Sequence, residues 1–314
     1  MAEQEDDEVC EAKLDDRDSV MAIDDDVYDG IDFLPDTYSS LLQQEDVRCY
    51  LYKRDGKIIG FMSTQLINGR QTLLVSSTRI AKEHRGVGVL SRFKELALYK
   101  YLDDVLSTAP KLRKITFAVS DRKLMEDPQN EQVAIKKLAS FKGTMTNGSL
   151  TEDLPEMRKL SLDEMKDICK NAETRHLFPD GIIILGWKPY RIMVENVAVF
   201  THHSSNRVFL VNKTSDKESL PRFFSAGSYF SCKKGIYYIT DLFGEASNEE
   251  LRGHINWHMK RLYEKAEETE QDVVFSICYS PNLDGAVENL PLCYGLEKAN
   301  LCVTEIIVIE QNRP

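Results

Sequence analysis

Apolar and polar residues alternate along Arg48–Arg54, and Asp55-Gly56 follows. Alternation closed by Asp-Gly predicts a strand and a tight hairpin, because a type I′ turn needs positive φ at both central positions. Lys57–Gln65 supplies the returning strand, Asn68-Gly69 a second turn, and Gln71–Ile80 a third strand. The result is a three-stranded antiparallel meander. The period then changes. Leu90, Phe93, Ala97, Tyr101 and Val105 recur at three and four residues, which predicts a helix with one buried face. Lys114–Val119 reads as a fourth strand, Asn130–Ala139 as a helix and Lys142–Leu150 as a strand. Ahead of the meander, Val9–Leu14 fits a strand and Ser19–Tyr28 a short helix carrying Val20, Ile23 and Val27.

The pattern restarts near Pro155. Leu160–Lys170 is a helix opened by the capping box Ser161-x-x-Glu164. Gly235–Thr240 reads as a strand, Asn248–Glu268 as a long helix capped by Asn248 or Ser247, and Asp272–Tyr279 as a buried strand. Ala286–Leu296 is expected as a helix and Asn300–Ile309 as a last strand. Both halves thus run strand, loop, long helix, strand, helix, strand. We expect two domains, 1–155 and 156–314, of α/β class with mixed sheets, the second a duplicate lacking the first's glycine loop.

Composition narrows the function classes. The chain has 314 residues, 42% hydrophobic and 29% charged, which is globular. A net charge of −11 argues against a nucleic-acid or anionic-lipid partner. No apolar run approaches the ~18 residues of a transmembrane helix. The amino terminus, Met-Ala-Glu-Gln-Glu-Asp-Asp-Glu, has neither a basic nor an apolar stretch of the signal-peptide kind. Seven cysteines without a C-x-x-C pair fit free thiols, and a cytoplasmic location is expected. His254 and His258 stand at i and i+4 but lack a third ligand, so they read as a helix-surface or packed pair and no metal is expected.

The chemistry concentrates in Thr72–Phe93: a strand, then Glu83-His-Arg85-Gly86-Val87-Gly88-Val89-Leu90, then a helix. Such a loop aims backbone N–H groups and the positive end of the helix dipole at one point, and its glycines admit a phosphate. From Arg79 to Lys94 there are five basic residues, Arg79, Lys82, Arg85, Arg92 and Lys94, against the acid Glu83. Gly88 is followed by Val-Leu, which excludes a P-loop, and the preceding hairpins exclude a dinucleotide-binding unit.

What stands is R-x-x-G-x-G/A after an antiparallel meander, which resembles the acyl-CoA loop of the GCN5-related N-acetyltransferase (GNAT) superfamily, with Leu90 where that pattern has Gly or Ala. Within the superfamily the chain is most similar to histidine N-acetyltransferases. The matching segments are Tyr28-Asp-Gly-Ile-Asp-Phe-Leu-Pro35 with Tyr38, Arg79–Gly88, Phe178-Pro-Asp-Gly181 with Trp187-Lys-Pro-Tyr190, Asp241-Leu-Phe-Gly244, and Trp257-His258. The resemblance implies a GNAT fold followed by a degenerate GNAT-like copy, and acetyl-CoA-dependent transfer to the α-amine of a small amino acid, histidine foremost, within a ternary complex.

It also assigns roles. Thr78, Arg79 and Ile80 would hold the thioester, and Arg85, Gly86, Val87, Gly88, Val89 and Leu90 the pyrophosphate. Tyr28, Asp32, Phe33, Tyr38, Ser76 and Arg79 would border the acceptor, with Asp121 or Tyr38 as the proton acceptor. Histidine-acetylating relatives carry an acid where this chain has Ser76, and an Arg-Asp-Asp run where it reads Ser120-Asp121-Arg122. A different amine, a protein amino terminus, or a non-catalytic interaction module with the same fold is the alternative.

Overall fold

The computed structural model describes residues 7–105, 109–144, 154–202, 206–213, 220–287 and 290–312. Contacts divide the chain into two units, Met1–Phe117 with Glu310–Pro314, and Ala118–Ile309.

In the first unit β1 (Asp7–Glu11) precedes α1 (Arg17–Met21) and α2 (Leu34–Leu42). The meander follows as β2 (Val47–Arg54), β3 (Lys57–Ile67) and β4 (Thr72–Ile80), then α3 (Val89–Val105) and β5 (Lys114–Val119). Strand order is β1-β2-β3-β4-β5, antiparallel except for β4 with β5. Asp55 and Gly56 both take positive φ, at 50° and 76°, as the turn requires. Helix α3 buries Phe93, Ala97 and Tyr101 against the sheet, with Phe93 stacked on Tyr52 at 5.3 Å. Leu90, expected on that buried face, is 38% exposed. The side chain of Val105 and residues 145–150 lie outside the described residues. The expected helix Ser19–Tyr28 stops at Met21, and after Asp24-Asp25-Asp26 the chain turns left-handed through Tyr28, Asp29 and Gly30 (φ 48°, 57° and 85°).

The second unit begins with a correction. Asn130–Ala139 is not a helix but part of β6 (Glu131–Gly143). Then come β7 (Met157–Lys159), α4 (Leu162–Lys170), the hairpin β8 (Ile182–Leu185) and β9 (Lys188–Arg191), α5 (Val199–His202), β10 (Val208–Asn212), β11 (Phe223–Cys232) and β12 (Gly235–Gly244). Helix α6 (Asn248–Thr269) leads to β13 (Val273–Tyr279). The expected helix Ala286–Leu296 resolves into α7 (Asp284–Val287) and a short 3-10 turn, ahead of β14 (Glu297–Lys298) and β15 (Glu305–Asn312). The sheet runs β6-β13-β12-β11-β10-β7, with only β12 and β13 parallel. Antiparallel β11–β12, then α6, then parallel β13 repeats the order β3, β4, α3, β5.

His254 and His258 pack inside this second unit. Both are buried, and Ser225 Oγ lies 2.7 Å from His254 Nδ1 and 2.8 Å from His258 Nε2. Tyr238 Oη lies 2.7 Å from His258 Nδ1 and accepts from Arg261 at 3.4 Å. Arg261 donates to Tyr238 Oη, and Ser225, with one proton between two ring nitrogens, couples the tautomers of His254 and His258. Gly227 makes room for this chain, because a Cβ there would stand 2.5 Å from the His258 ring and from Tyr238 Oη.

Candidate active site

The first unit builds its site where β4 stops being regular. Facing residues run Gly60↔Ile80 and Phe61↔Arg79, then Ser63↔Ser76, so β4 spends three steps against two on β3. The extra residue is a β-bulge, and Ser77 absorbs it at φ 55°. Residues 72–75 of β4 are buried, whereas Ser76 and Ser77 are half-buried and Thr78 is exposed. Ser63 is buried behind them, its Oγ 2.9 Å from Ser76 Oγ, 3.0 Å from Ser76 O and 3.1 Å from Ser77 Oγ. On the other side, facing pairs with β5 run from Thr72↔Lys114 to Leu74↔Thr116. Among the described residues no pair follows, although β4 continues to Ile80 and β5 to Val119. The two strands therefore part beside the bulge, as expected for a slot that admits an extended ligand.

The glycine loop comes next in the chain. Gly86 and Gly88 take φ of 78° and 81°, and a Cβ at either would meet nothing within 4 Å. Residues 85–88 are exposed, with Val87 at 72%. Helix α3 starts at Val89, its first turn holds no acid, and its first N–H groups have no intrahelical acceptor. Val89 itself is buried. This is an open, electropositive cradle of backbone donors.

The side chains correct the local charge count. Arg79 is buried and bonds Asp32 through both terminal nitrogens, at 3.0 and 2.9 Å. Asp32 also accepts from Leu34 N–H at 3.0 Å. Each thus occupies the other, so these two residues expected at the acceptor border form an ion pair with one another. Arg85 donates to Ile80 O at 2.8 Å and to Asp24 at 2.5 Å, and Lys82 lies 3.5 Å from the same carboxylate. Burial raises the Asp24 carboxyl, but the bonds from Arg85 and Asp26 N–H and the charge of Lys82 outweigh it and hold the group below its ordinary value. The acids come from the amino-terminal segment, out of reach of any window over the loop.

The remaining candidates divide. Tyr38 belongs to the core: it is buried, packs 5.9 Å from Phe61 and donates to Lys13 O at 2.7 Å. Burial, then the charge of Asp16, raises its hydroxyl above the ordinary tyrosine value, the wrong direction for a base. Tyr28 is 46% exposed and Phe33 half-buried on the segment that carries Asp32. Asp121 falls in the second unit, where its Oδ1 accepts from Lys123 N–H at 2.9 Å and caps the turn Arg122–Glu126. The first unit therefore gathers Ser76, Thr78, Arg79, Ile80 and Arg85–Leu90 around one bulge and loop. Ser63, Ser77 and Asp24 were missed. The polar run Ser76-Ser77-Thr78 after Leu73-Leu74-Val75 was the signal for the bulge.

The second unit has the same frame without the opening. Facing pairs of β12 and β13 continue from Ile236↔Val273 to Asp241↔Cys278. The start of α6 is closed by its own residues: Ser247 Oγ accepts from Glu250 N–H at 3.2 Å, and Glu250 accepts from Ser247 N–H at 2.9 Å. Glu249 and Glu250 add negative charge there, which opposes a phosphate.

Comparison with known proteins agrees with this frame. The tandem GNAT protein of the clavulanic acid biosynthesis pathway superposes with a TM-score of 0.55 at 10% identity, covering 98% of this chain and 99% of that one. Residues 153–280 match the family described as histidine N-acetyltransferase, C-terminal. Histidine N-acetyltransferase of Scomber australasicus is 30% identical over 211 residues, and that of Oreochromis niloticus 26% over 211 residues. In both cases 60% of this chain and 60% of the relative are covered. The fold is thus a GNAT fold followed by a second GNAT-like domain. Over these segments the chain is similar to the histidine N-acetyltransferases, and it spans 60% of the length of those curated relatives.

Proposed function

We propose that the protein is an acetyl-CoA-dependent N-acetyltransferase for the α-amine of a small amino acid, with histidine first among the acceptors. The observation that carries this reading is the β4 bulge at Ser77, beside the parting of β4 from β5 and ahead of the open loop Arg85–Leu90. The loop suits the coenzyme: both glycines stand at positive φ with open space above them, and the first turn of α3 carries no acid. The pyrophosphate would rest on the N–H groups of Arg85–Leu90. The thioester would lie along Thr78–Ile80. Acetyl-CoA supplies an activated acyl group.

The protein's own residues then have limited tasks. Backbone N–H groups at the bulge polarise the acyl carbonyl. The hydroxyls of Ser76 and Ser77 border the acceptor, where a carboxylate would instead favour a charged ammonium. Tyr38 is buried and Asp32 is held by Arg79, so neither is placed to take the proton; an amine that arrives neutral gives a turnover that rises with pH toward the pKa of the amine. The similarity of residues 153–280 to histidine N-acetyltransferase favours histidine. The test is a panel of the twenty amino acids and polyamines with acetyl-CoA, product read by mass spectrometry. Histidine among the best acceptors supports the reading; histidine ranking below several unrelated amines removes it while leaving acetyl transfer intact.

A further inference from the structure

The cations around the loop are already engaged. Arg79 is held by Asp32, Arg92 lies 3.0 Å from Glu95, and Lys94 sits 4.8 Å over the Phe117 ring. Asp24 is the carboxylate that two of them share. Its side chain is 8% exposed, it meets Arg85 at 2.5 Å and Lys82 at 3.5 Å, and it accepts from Asp26 N–H at 3.2 Å. Two cations and a backbone N–H around one anionic oxygen pair form the donor set of a bound phosphate. Arg85 is further fixed through Nε to Ile80 O.

We propose that Asp24 sets the affinity of the Gly86–Gly88 loop for diphosphate-bearing ligands, by engaging the Arg85 and Lys82 charges that would otherwise add to the backbone cradle. The proposal rests on the coenzyme reading of that loop. Two consequences follow from it. Binding in the natural protein is carried by backbone N–H groups, so it depends weakly on salt. Releasing the two cations adds a charge-assisted, salt-sensitive share.

The test is calorimetric binding of coenzyme A to the full chain, for the natural protein, Asp24→Asn, Arg85→Gln and the double variant, at about 50 and about 300 mM salt. Asparagine keeps an oxygen that can accept from Asp26 N–H. Asp24→Asn should bind about five- to tenfold tighter at the lower salt, with the gain shrinking at the higher. Adding Arg85→Gln should remove most of that gain, so that Asp24→Asn tightens binding less in the Arg85→Gln background than in the natural one. Equal or weaker binding by Asp24→Asn would make Asp24 a support for the loop and overturn the proposal alone. An undiminished gain in the Arg85→Gln background would do the same. No binding by any of the four proteins would overturn the coenzyme reading together with the proposal.

Discussion

Lowering the pH from 6.5 to 5 should weaken the second unit by a net effect smaller than its histidines alone would give. Burial pushes His254 down from 6.5 to about 3. Burial, then the charges of His254 and Arg261, pushes His258 well below 6.5. For such a group the unfolded chain binds the extra proton, so the stability contribution is full above pH 6.5 and is lost as pH falls. Asp241 has the opposite sign. Burial raises it from 3.8 to about 7, with Arg207, the Gly186 N–H, Cys278 and Lys136 only partly offsetting. Between those values the folded chain binds its proton, so acid favours the fold. At ~1.4 kcal/mol per proton and pH unit, each group changes stability by roughly 1.5–2 kcal/mol across this window. Two losses against one gain leave a net loss of about 1–2 kcal/mol in the natural protein. Asp241→Asn removes the gain, so the loss should grow to about 3 kcal/mol. Trp187 and Trp257 are the chain's two tryptophans and both lie in this unit, so fluorescence-monitored urea unfolding at several pH values reads it selectively. The same pH slope in both proteins, or stability that does not change across the window, would refute the reasoning.

Gly227→Ala should cost about 3 kcal/mol, since its Cβ would stand 2.5 Å from ring atoms that cannot retreat without breaking the His258–Tyr238 bond; the urea midpoint of the same fluorescence checks it. Gly88→Glu should fold with a modest loss of about 1–2 kcal/mol from its φ of 81° but show no rise in Tm with coenzyme A, since charge and bulk then fill the open cradle. Leu90 stands where the family pattern has Gly or Ala, so Leu90→Ala, at an exposed first-turn position, should change stability by no more than about 0.5 kcal/mol and tighten coenzyme A binding by removing bulk beside the loop; unchanged or weaker binding by calorimetry would refute that crowding. Tyr38→Phe should cost about 1 kcal/mol through the lost bond to Lys13 O and leave turnover per folded molecule within about threefold; a hundredfold fall in kcat would return Tyr38 to the chemistry.

The elements that local residues dictate were legible. Asp55-Gly56 and Asn68-Gly69 placed the meander, Ser161-x-x-Glu164 opened α4, and the glycine loop stood between a strand and a helix as read. Strand β6 was hidden because its buried positions 134, 136, 138 and 140 include Lys136 and Ser140, so the period of two shows no hydrophobic alternation. Lys136 is accommodated inside by a bond from Nζ to Ser280 at 2.5 Å and by lying 5.5 Å over Phe243, partners remote in sequence. The basic patch was misjudged for the same reason. Asp24 and Asp32 stand 61 and 47 residues from the arginines they engage, and only folding brings them together. The acceptor borders were half legible: Ser76 lies at the bulge, while Tyr38 turned inward because α2 presents Leu34, Tyr38 and Leu41 to the core.

The chain of bonds from Tyr238 to His254 has a cooperative consequence. Ser225 has one proton and stands against a ring nitrogen of each histidine, so the two tautomers are linked. When Ser225 donates to His254 Nδ1, His258 donates to Ser225 through Nε2–H and accepts from Tyr238 at Nδ1. When Ser225 donates to His258 Nε2, His254 Nδ1–H and His258 Nδ1–H are the donors, and Tyr238 Oη accepts from His258 as well as from Arg261. The interior of the second unit thus holds a relay with two concerted settings, and in a nitrogen-detected NMR spectrum Tyr238→Phe should move the ring nitrogens of His254 together with those of His258.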